Sequence, residues 1–567
     1  MGVLKDNWTC LSQSEPSSIV ELEEILRKNR NFRTIEKLDF GEHGLEKPAQ
    51  AIARVMGRDG KIVIWGDYDV DGVTSVVTAM LFFRALGYDR VACKVPDRFS
   101  EGYGLNEASL RELIDREKPD LIITVDAGIT ASHEASVCAQ LGVELIVTDH
   151  HSIDPDRLPD CIILNPKLHP DPDYRELCGC ATILVLLRHM ARTDPGIAAL
   201  LSRDPAARQD LWYTLTALAG IATICDVVPL NPVNHLLVRQ GMKCLLKSEN
   251  PALRLMIREC GENQGQTCEM DVAFKVGPLI NAVGRLYHAG RVVDAFLHGS
   301  PDDLVEAMHS VNVERKGIQR DMIDEALEMA STLPASSFYC LGSADFHEGV
   351  VGIVASRMVE ELNRPVVIYC DGPICKGSGR SIPGFSLFDA LCAVNVEDPD
   401  ILITFGGHAM ASGLSFRQKD AVRLQEMLNR IADEAFTSDP SLLITSAVYD
   451  CQLPVSLLTL EAADSITTLK PFGNGCPAPL FRVRARALDK GFYFLKDSEG
   501  RRTEVPGHTY FNIQGPDGPL RVNFFNRVIQ ENPENIDILV TLSSDSFRGR
   551  RRVALRGVDY SFDDLVM

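Results

Sequence analysis

The sequence lacks the features that anchor a chain in a membrane or staple it covalently. No apolar run in its 567 residues reaches the ~18 that a spanning helix needs. None of its 16 cysteines stands in a CxxC pair, which excludes the commonest zinc and redox spacings. The nearest approach to a zinc cluster, Cys161, His169, Cys178 and Cys180, is irregularly spaced, so reduced thiols buried in a core are expected instead. The opening MGVLKDNWTC has no apolar core of a secretory leader, and Asp6 breaks the myristoylation pattern. A cytoplasmic protein with no membrane association is expected. Positive charge is scarce as well, with 58 Lys and Arg against 78 Asp and Glu and a net charge of −20. At face value that balance argues against a nucleic-acid partner. There is no internal repeat and no low-complexity tract.

What remains is an ordinary globular composition, 45% hydrophobic and 24% charged. The length suggests roughly three or four domains of about 150 residues. The first 50 residues contain one helical pattern, SSIVELEEILRKNRNF. From there to about residue 230, apolar runs alternate with helical stretches: KIVIWGD, RVACKV, DLIITVD, ELIVTDH and CIILNP. Near-continuous apolar strands separated by helices predict a parallel sheet covered on both faces. A helix is expected over 210–228 and a long connecting helix over about 300–332. A second α/β unit spans about 335–435, with strands FYCLG, PVVIYC and ILITF, and a turn-rich KPFGNGCPAPLF leads into a β-like, Arg-rich tail. The expected architecture is therefore α/β, with two α/β lobes joined by a long helix and followed by a C-terminal β-barrel.

The positions of the acids carry the chemistry. The first strand runs into Asp67, Asp69 and Asp71, the third into Asp126, and the fourth into Asp149, His150 and His151. Ligands of open parallel sheets bind outside the carboxyl ends of the strands, so these groups should converge in one crevice. Asp226, at the end of the 210–228 helix, can approach it. A mixed carboxylate and imidazole set suits Mn²⁺ or Mg²⁺. So many facing carboxylates repel without cations, and two ions spaced to clamp a phosphate ester are the sensible complement. Thr74 and Ser75 are read as opening the next helix, whose N-terminus favours anions.

GDYDVDGVTS, VDAGIT, VTDHH and ICDVVPL, in that order, resemble the successive motifs of the DHH phosphoesterase superfamily. HEGVVGIVASRM, GSGRSIPGFSL and FGGHAMASG resemble its DHH-associated substrate-binding domain. PFGNGCPAPLF and the tail resemble the junction and oligonucleotide-binding (OB) fold of the RecJ family of single-strand-specific 5′→3′ exonucleases. Val70, Ala127, Cys225 and Val283 depart from the family's usual residues without removing a functional one.

The resemblance implies domains at 1–50 (helical extension), 51–299 (DHH), 300–333 (connecting helix), 334–440 (DHH-associated) and 441–567 (OB). It implies two divalent cations, Mn²⁺ or Mg²⁺. Asp69 and Asp126 would hold one; Asp71, Asp126, His150 and Asp226 the other; Asp67 and Asp149 would lie beside them, as direct ligands or as orienters of imidazole. His151 would meet the scissile phosphate or the leaving group instead of a metal, with Asn281 and Arg285 near the substrate phosphate. Arg380 and His408, flanked by Ser381 and Gly407, would hold the terminal phosphate. It further implies hydrolysis of single-stranded DNA to mononucleotides in repair and recombination, by a monomer whose candidate partners are a single-strand-binding protein and a helicase.

Two rival readings share these motifs: a small-oligonucleotide or cyclic-dinucleotide phosphodiesterase, and a scaffold that has lost activity. Residues 481–567 argue for the exonuclease, because they reverse the chain's charge balance with 14 Lys and Arg against 12 Asp and Glu. Arg482, Arg484, Arg486, Arg548, Arg550, Arg551 and Arg552 are interleaved there with Phe492, Tyr493, Phe494, Tyr510, Phe511, Phe524 and Phe525. Cations for the backbone and rings for the bases are what a single strand requires, with Arg482, Arg484, Tyr510 and Arg550 the expected contacts. About half of these aromatics should instead fill the barrel. Against the scaffold stands the presence of every acid and both histidines of the core motifs.

Overall fold

The computed structural model describes residues 7–260, 268–298, 301–496, 502–531, 533–547 and 549–561. They divide into two compact units, one of Arg33–Arg315 with Pro471–Pro477, the other of residues through Phe32, Lys316–Lys470 and the chain from Ala478.

The first unit holds a five-stranded parallel sheet in the order Val91–Lys94, Ile62–Trp65, Leu121–Val125, Glu144–Thr148, Ile162–Leu164. These are the five strands expected from the apolar runs. Alternation along each strand feeds two cores. Ile62 and Ile64 pack with helices Val70–Ala85 and Gly179–Thr193, whereas Val63 and Trp65 pack with Glu107–Glu117 and Ser132–Gln140. The first strand in sequence lies between the second and the third, so the winding reverses there and opens a crevice at the carboxyl ends. The helix expected over 210–228 is Pro205–Cys225, started by Asp204 and the proline at its first position.

In the second unit, the sheet order is Leu402–His408, Ala411–Arg417, Ile374–Arg380, Val366–Cys370, Tyr339–Ser343. Only the last two strands are parallel. The three expected strands are present; the two others, ICKGSGR and ASGLSFR, are rich in Gly and Ser and carry little β-propensity of their own. In the tail, Phe481–Lys496, Arg502–Gln514, Pro519–Phe524, Arg550–Ser561 and Asn535–Phe547 pair in sequence around a ring, and the last returns to the first. Phe481, Phe511, Phe524, Ile538 and Leu555 fill its interior.

The N-terminal region is divided, not a single helical extension. Asn7–Cys10 pairs in parallel with Ser446–Tyr449, and helix Ile19–Asn29 follows, capped by Ser18. Arg30 then forms an ion pair with Asp450 at 2.6 Å, both side chains 4% exposed. Helix Glu46–Gly57 belongs to the other unit. Helix Pro301–Thr332 spans the expected connection. Among the described residues no helix is long and apolar enough to cross a membrane.

Candidate metal centre

The acidic residues converge as the strand ends dictate. Asp67 follows the first strand, and Asp69 caps helix Val70–Ala85 by accepting the Gly72 N–H at 3.0 Å. A side chain on Gly72 would fall 2.6 Å from the Asp67 backbone, so only glycine lets the acidic turn fold this tightly. Asp71 lies in the first helical turn, where the N–H groups of Gly179 and Cys180 donate to its two oxygens at 2.6 and 2.8 Å. Those amides open helix Gly179–Thr193, whose dipole favours a carboxylate. Thr74 and Ser75 do not form an anion site. The helix begins at Val70, both residues are buried within it, and the Thr74 hydroxyl donates back to the Val70 carbonyl at 2.7 Å.

Asp126 follows the third strand in the left-handed region, φ 60°, an uncommon conformation for a residue with a side chain. His150 Nε2 lies 3.1 Å from Asp126 Oδ1, 3.5 Å from Asp226 Oδ2 and 3.6 Å from Asp71 Oδ2. Donor atoms fall within 4.8 Å of one another in three overlapping groups: Asp67, Asp69 and Asp126; Asp71, His150 and Asp226; Asp126, His150 and His151. Buried polar atoms are ordinarily hydrogen-bonded. Here Asp67 Oδ1, Asp126 Oδ1 and His150 Nε2 are all buried without a hydrogen-bond partner. Three orphaned lone-pair atoms in one acidic crevice fit divalent cations.

The electrostatics agree. Burial, then repulsion from neighbouring acids, lifts the carboxyls of Asp67, Asp69 and Asp126 above their ordinary range, and pushes Asp226 up to about 8. Burial lowers the His150 imidazole, favouring the neutral form that ligates metals. The nearby thiols of Cys178, Cys180 and Cys225 are raised by burial and stay protonated. Cys178 meets Thr223, Cys180 meets Thr78, and His169 packs on Phe40, so no zinc cluster forms from them among the described residues.

Asp149 is fully engaged as an acceptor. Its Oδ1 takes the N–H of His150 and of His151 and the His151 Nδ1 proton at 2.7 Å, and its Oδ2 takes the Ile129 N–H at 2.8 Å. Burial opposes the charge on both partners, yet this pairing holds the Asp149 carboxyl below its usual range and the His151 imidazole at about 9. The geometry makes Asp149 an orienter of the two histidines.

Tyr103 was not anticipated. Its hydroxyl lies 3.1 Å from His151 Nδ1 and donates to the Asp126 carbonyl at 3.4 Å. Gly102 and Gly104, both at positive φ, let the loop present it; the EGYGL segment was the available signal. Arg98 stacks over the Tyr68 ring at 5.0 Å and draws the Asp67 carboxyl down. Asn281 and Arg285 lie on helix Gly277–Leu286, which passes so near the acidic turn that a side chain on Gly284 would sit 2.5 Å from the Tyr68 carbonyl.

The other expected residues belong to the second unit. Arg380 and His408 flank Ala411 across neighbouring strands, and Arg380 Nη1 donates to Ser378 Oγ at 2.8 Å. The Ser381 hydroxyl is committed to the Phe385 carbonyl at 2.6 Å, and Gly407 adopts φ 138° beside Ala411. In the barrel, Arg482 and Arg484 share the buried Asp537, and Arg551 and Arg552 pair with Asp464 and Asp545. Arg482 and Arg484 therefore balance a charge inside the fold. Arg550 is exposed, whereas Arg548 and the Phe494 side chain lie outside the described residues. Phe511 and Phe524 are core. Half-buried Tyr493, His508 and Tyr510 instead gather with exposed Phe525, ring centroids 5.7 to 6.1 Å apart. Arg521 lies 3.9 Å over Tyr510 and Arg556 5.9 Å over Phe525.

Known proteins share this arrangement. Residues 61–205 match the DHH family N-terminal domain, 335–435 the DHHA1 domain and 449–559 the RecJ OB domain. The single-stranded-DNA-specific exonuclease RecJ of Bacillus subtilis is 35% identical over 460 residues, 79% of this chain. The chain spans 55% of that relative's length. The Escherichia coli protein of the same name is 32% identical over 83% of this chain and 85% of its own. The crystal structure of RecJ from Thermus thermophilus with Mn²⁺ superposes with a TM-score of 0.81 at 26% identity, covering 98% of this chain and 79% of that one, and its Mg²⁺ complex with 0.75. With three domains matched in order and the E. coli relative aligned over most of its length, the chain belongs to the RecJ family.

Proposed function

We infer that the protein is a metal-dependent exonuclease that degrades single-stranded DNA. The observation that carries this reading is the trio of buried, unpartnered ligand atoms on Asp67, Asp126 and His150 at the mouth of a parallel sheet, in a chain that also carries an OB barrel. When bound, two divalent cations, Mn²⁺ or Mg²⁺, supply an activated water and stabilise charge at the phosphate.

The protein supplies placement. Asp67, Asp69, Asp71, Asp126, His150 and Asp226 form the cation-binding set, with Asp126 shared. Asp149 holds the His151 ring through its Nδ1–H, so that Nε2 is left to face the scissile phosphate or the leaving group. Arg285 and Asn281 stand beside the acidic turn to receive phosphate oxygens, and Arg98 and Tyr103 enclose the same crevice. Arg380, with His408, Gly407 and Ser381 forming its surroundings, is assigned to the terminal phosphate. Tyr510 and Arg550, with Tyr493, Phe525, Arg521 and Arg556, form the base-stacking and backbone-binding face of the barrel. Arg482 and Arg484 support that face through Asp537.

The working division is 51–299 for hydrolysis, with residues 33–50 and 471–477 that cluster with it, 334–440 for the strand end and the rest of 441–567 for the strand body, joined by 300–333. Degradation runs 5′→3′ to mononucleotides, in repair and recombination, by a cytoplasmic monomer working beside a single-strand-binding protein and a helicase. The test offers 5′-labelled and 3′-labelled single-stranded DNA, duplex DNA, RNA and a cyclic dinucleotide, each with Mn²⁺ or Mg²⁺. Labelled mononucleotide should appear first from the 5′-labelled single strand. Preference for duplex, or hydrolysis of dinucleotides alone, overturns the reading.

A further inference from the structure

Helix Pro205–Cys225 ends at Asp226, and the residue after this cap is Val227 at φ 58°. Helices commonly finish with one left-handed residue, but glycine is its usual occupant. A β-branched residue is a genuine outlier there and persists only where its surroundings enforce it. The Val227 N–H reaches the Ile224 carbonyl at 3.3 Å, one of the two backbone bonds of the terminating motif.

The enforcing contact comes from far along the chain. The Asn474 side-chain amide donates to the Val227 carbonyl at 2.8 Å, and the Asn474 carbonyl accepts the Leu230 N–H at 2.7 Å. Asn474 is held by a tight turn in which Gly473 and Cys476 exchange both backbone hydrogen bonds, with Gly475 at φ 72°. The turn is seated so closely that a side chain on Gly473 would lie 2.9 Å from Leu230 Cδ1. Residues 471–477 accordingly cluster with the metal-bearing unit, although their sequence neighbours on both sides do not.

We propose that Asn474 is a positioning residue for the metal centre: by clamping Val227 in the left-handed conformation it aims Asp226 at His150 and Asp71. This rests on the reading of Asp226 as a cation ligand. Without the clamp, Val227 relaxes to negative φ, and the last helical turn, in which the Asp226 N–H reaches the Ala222 carbonyl at 2.8 Å, loses its stop and frays. Partners bonded directly to a ligand typically account for 10–100-fold in metal affinity; Asn474, bonded to the residue after the ligand, belongs at the low end, about 10-fold. A glycine at 227 has no preference to overcome, so it makes Asn474 dispensable.

The experiment titrates metal-free, full-length protein with Mn²⁺ and follows the free ion by electron paramagnetic resonance. N474D keeps the side chain's size and removes the donor. One of two Mn²⁺ ions should bind about 10-fold or more weakly in N474D, with both returning to wild-type affinity in V227G/N474D. Wild-type binding of both ions by N474D, or no recovery in the double variant, overturns the proposal. D226N separates the two readings. If it binds both ions normally, the assignment of Asp226 as a ligand fails; if it loses one while N474D does not, the clamp alone fails. Should N474D not fold, V227G/N474D is compared with V227G. Equal affinity supports the clamp and unequal affinity overturns it.

Discussion

His151 Nδ1 and Asp149 Oδ1 lie 2.7 Å apart, and the same oxygen accepts the backbone N–H groups of His150 and His151. One buried carboxylate thus holds the ring of one histidine and the path of the chain through both. Turning the His151 ring away would take a donor from a carboxylate that is itself buried.

The first prediction concerns that pair. In metal-free protein the His151 imidazole should titrate near 9 by NMR, remaining protonated below that pH and losing its proton above it. D149N removes the negative partner, so His151 should fall toward the ordinary histidine value of about 6.5. Hydrolysis should fall by roughly 10²-fold or more, since a misplaced general acid or base forfeits that much. An unmoved His151 titration would show that Asp149 does not control it.

The second follows from Asp226, whose carboxyl burial and Asp71 push to about 8. The folded, metal-free protein then keeps a proton that the unfolded chain releases near pH 4. This group's contribution to stability is therefore lost as pH rises between those values. EDTA-treated protein should melt lower at pH 8 than at pH 6, and Mn²⁺ should raise the melting temperature more at pH 8. Calorimetry in buffers of different ionisation enthalpy should register proton release on metal binding.

A third prediction separates function from stability. D69A and D126A should each lower hydrolysis by roughly 10³-fold or more, because each removes charge aimed at the reacting phosphate. D126N should also raise the melting temperature of the metal-free protein, since it removes a buried charge from a group of like charges. A hydrolytically competent D69A or D126A sinks the metal assignment.

In the barrel, two kinds of arginine should behave differently. Y510A and F525A should each weaken binding to single-stranded DNA by about 1–3 kcal/mol, the usual contribution of a base stacked on a ring. R550A should reduce the salt dependence of binding by about one ion. R482A strands the buried Asp537, so its principal effect should be a lower melting temperature. Equal losses of affinity across all four variants would contradict the division.

Much of this was legible in the sequence because parallel strands buried on both faces leave continuous apolar runs, and their carboxyl ends mark one edge. Asp67, Asp126, Asp149 and His150 could be assembled from that alone. What stayed hidden depends on contacts between distant positions. Nothing local marks Gly179 and Cys180 as donors to Asp71, or Asp537 as the partner of Arg482, because a pairing register cannot be read from one strand. Tyr103 sits in an aperiodic loop. NWTC is too short and polar to announce a strand. Thr74 and Ser75 were misread because the helix begins earlier, at Val70, with Asp69 in the capping role.

Finally, the unit that carries the metal ligands is not contiguous in the chain: it consists of Arg33–Arg315 and Pro471–Pro477. During synthesis its six acids and two histidines emerge long before the turn that meets the end of helix Pro205–Cys225. At about 5–20 residues per second, the intervening Lys316–Lys470 imposes an interval on the order of ten seconds or more. A nascent chain would spend that interval with its cutting centre unfinished.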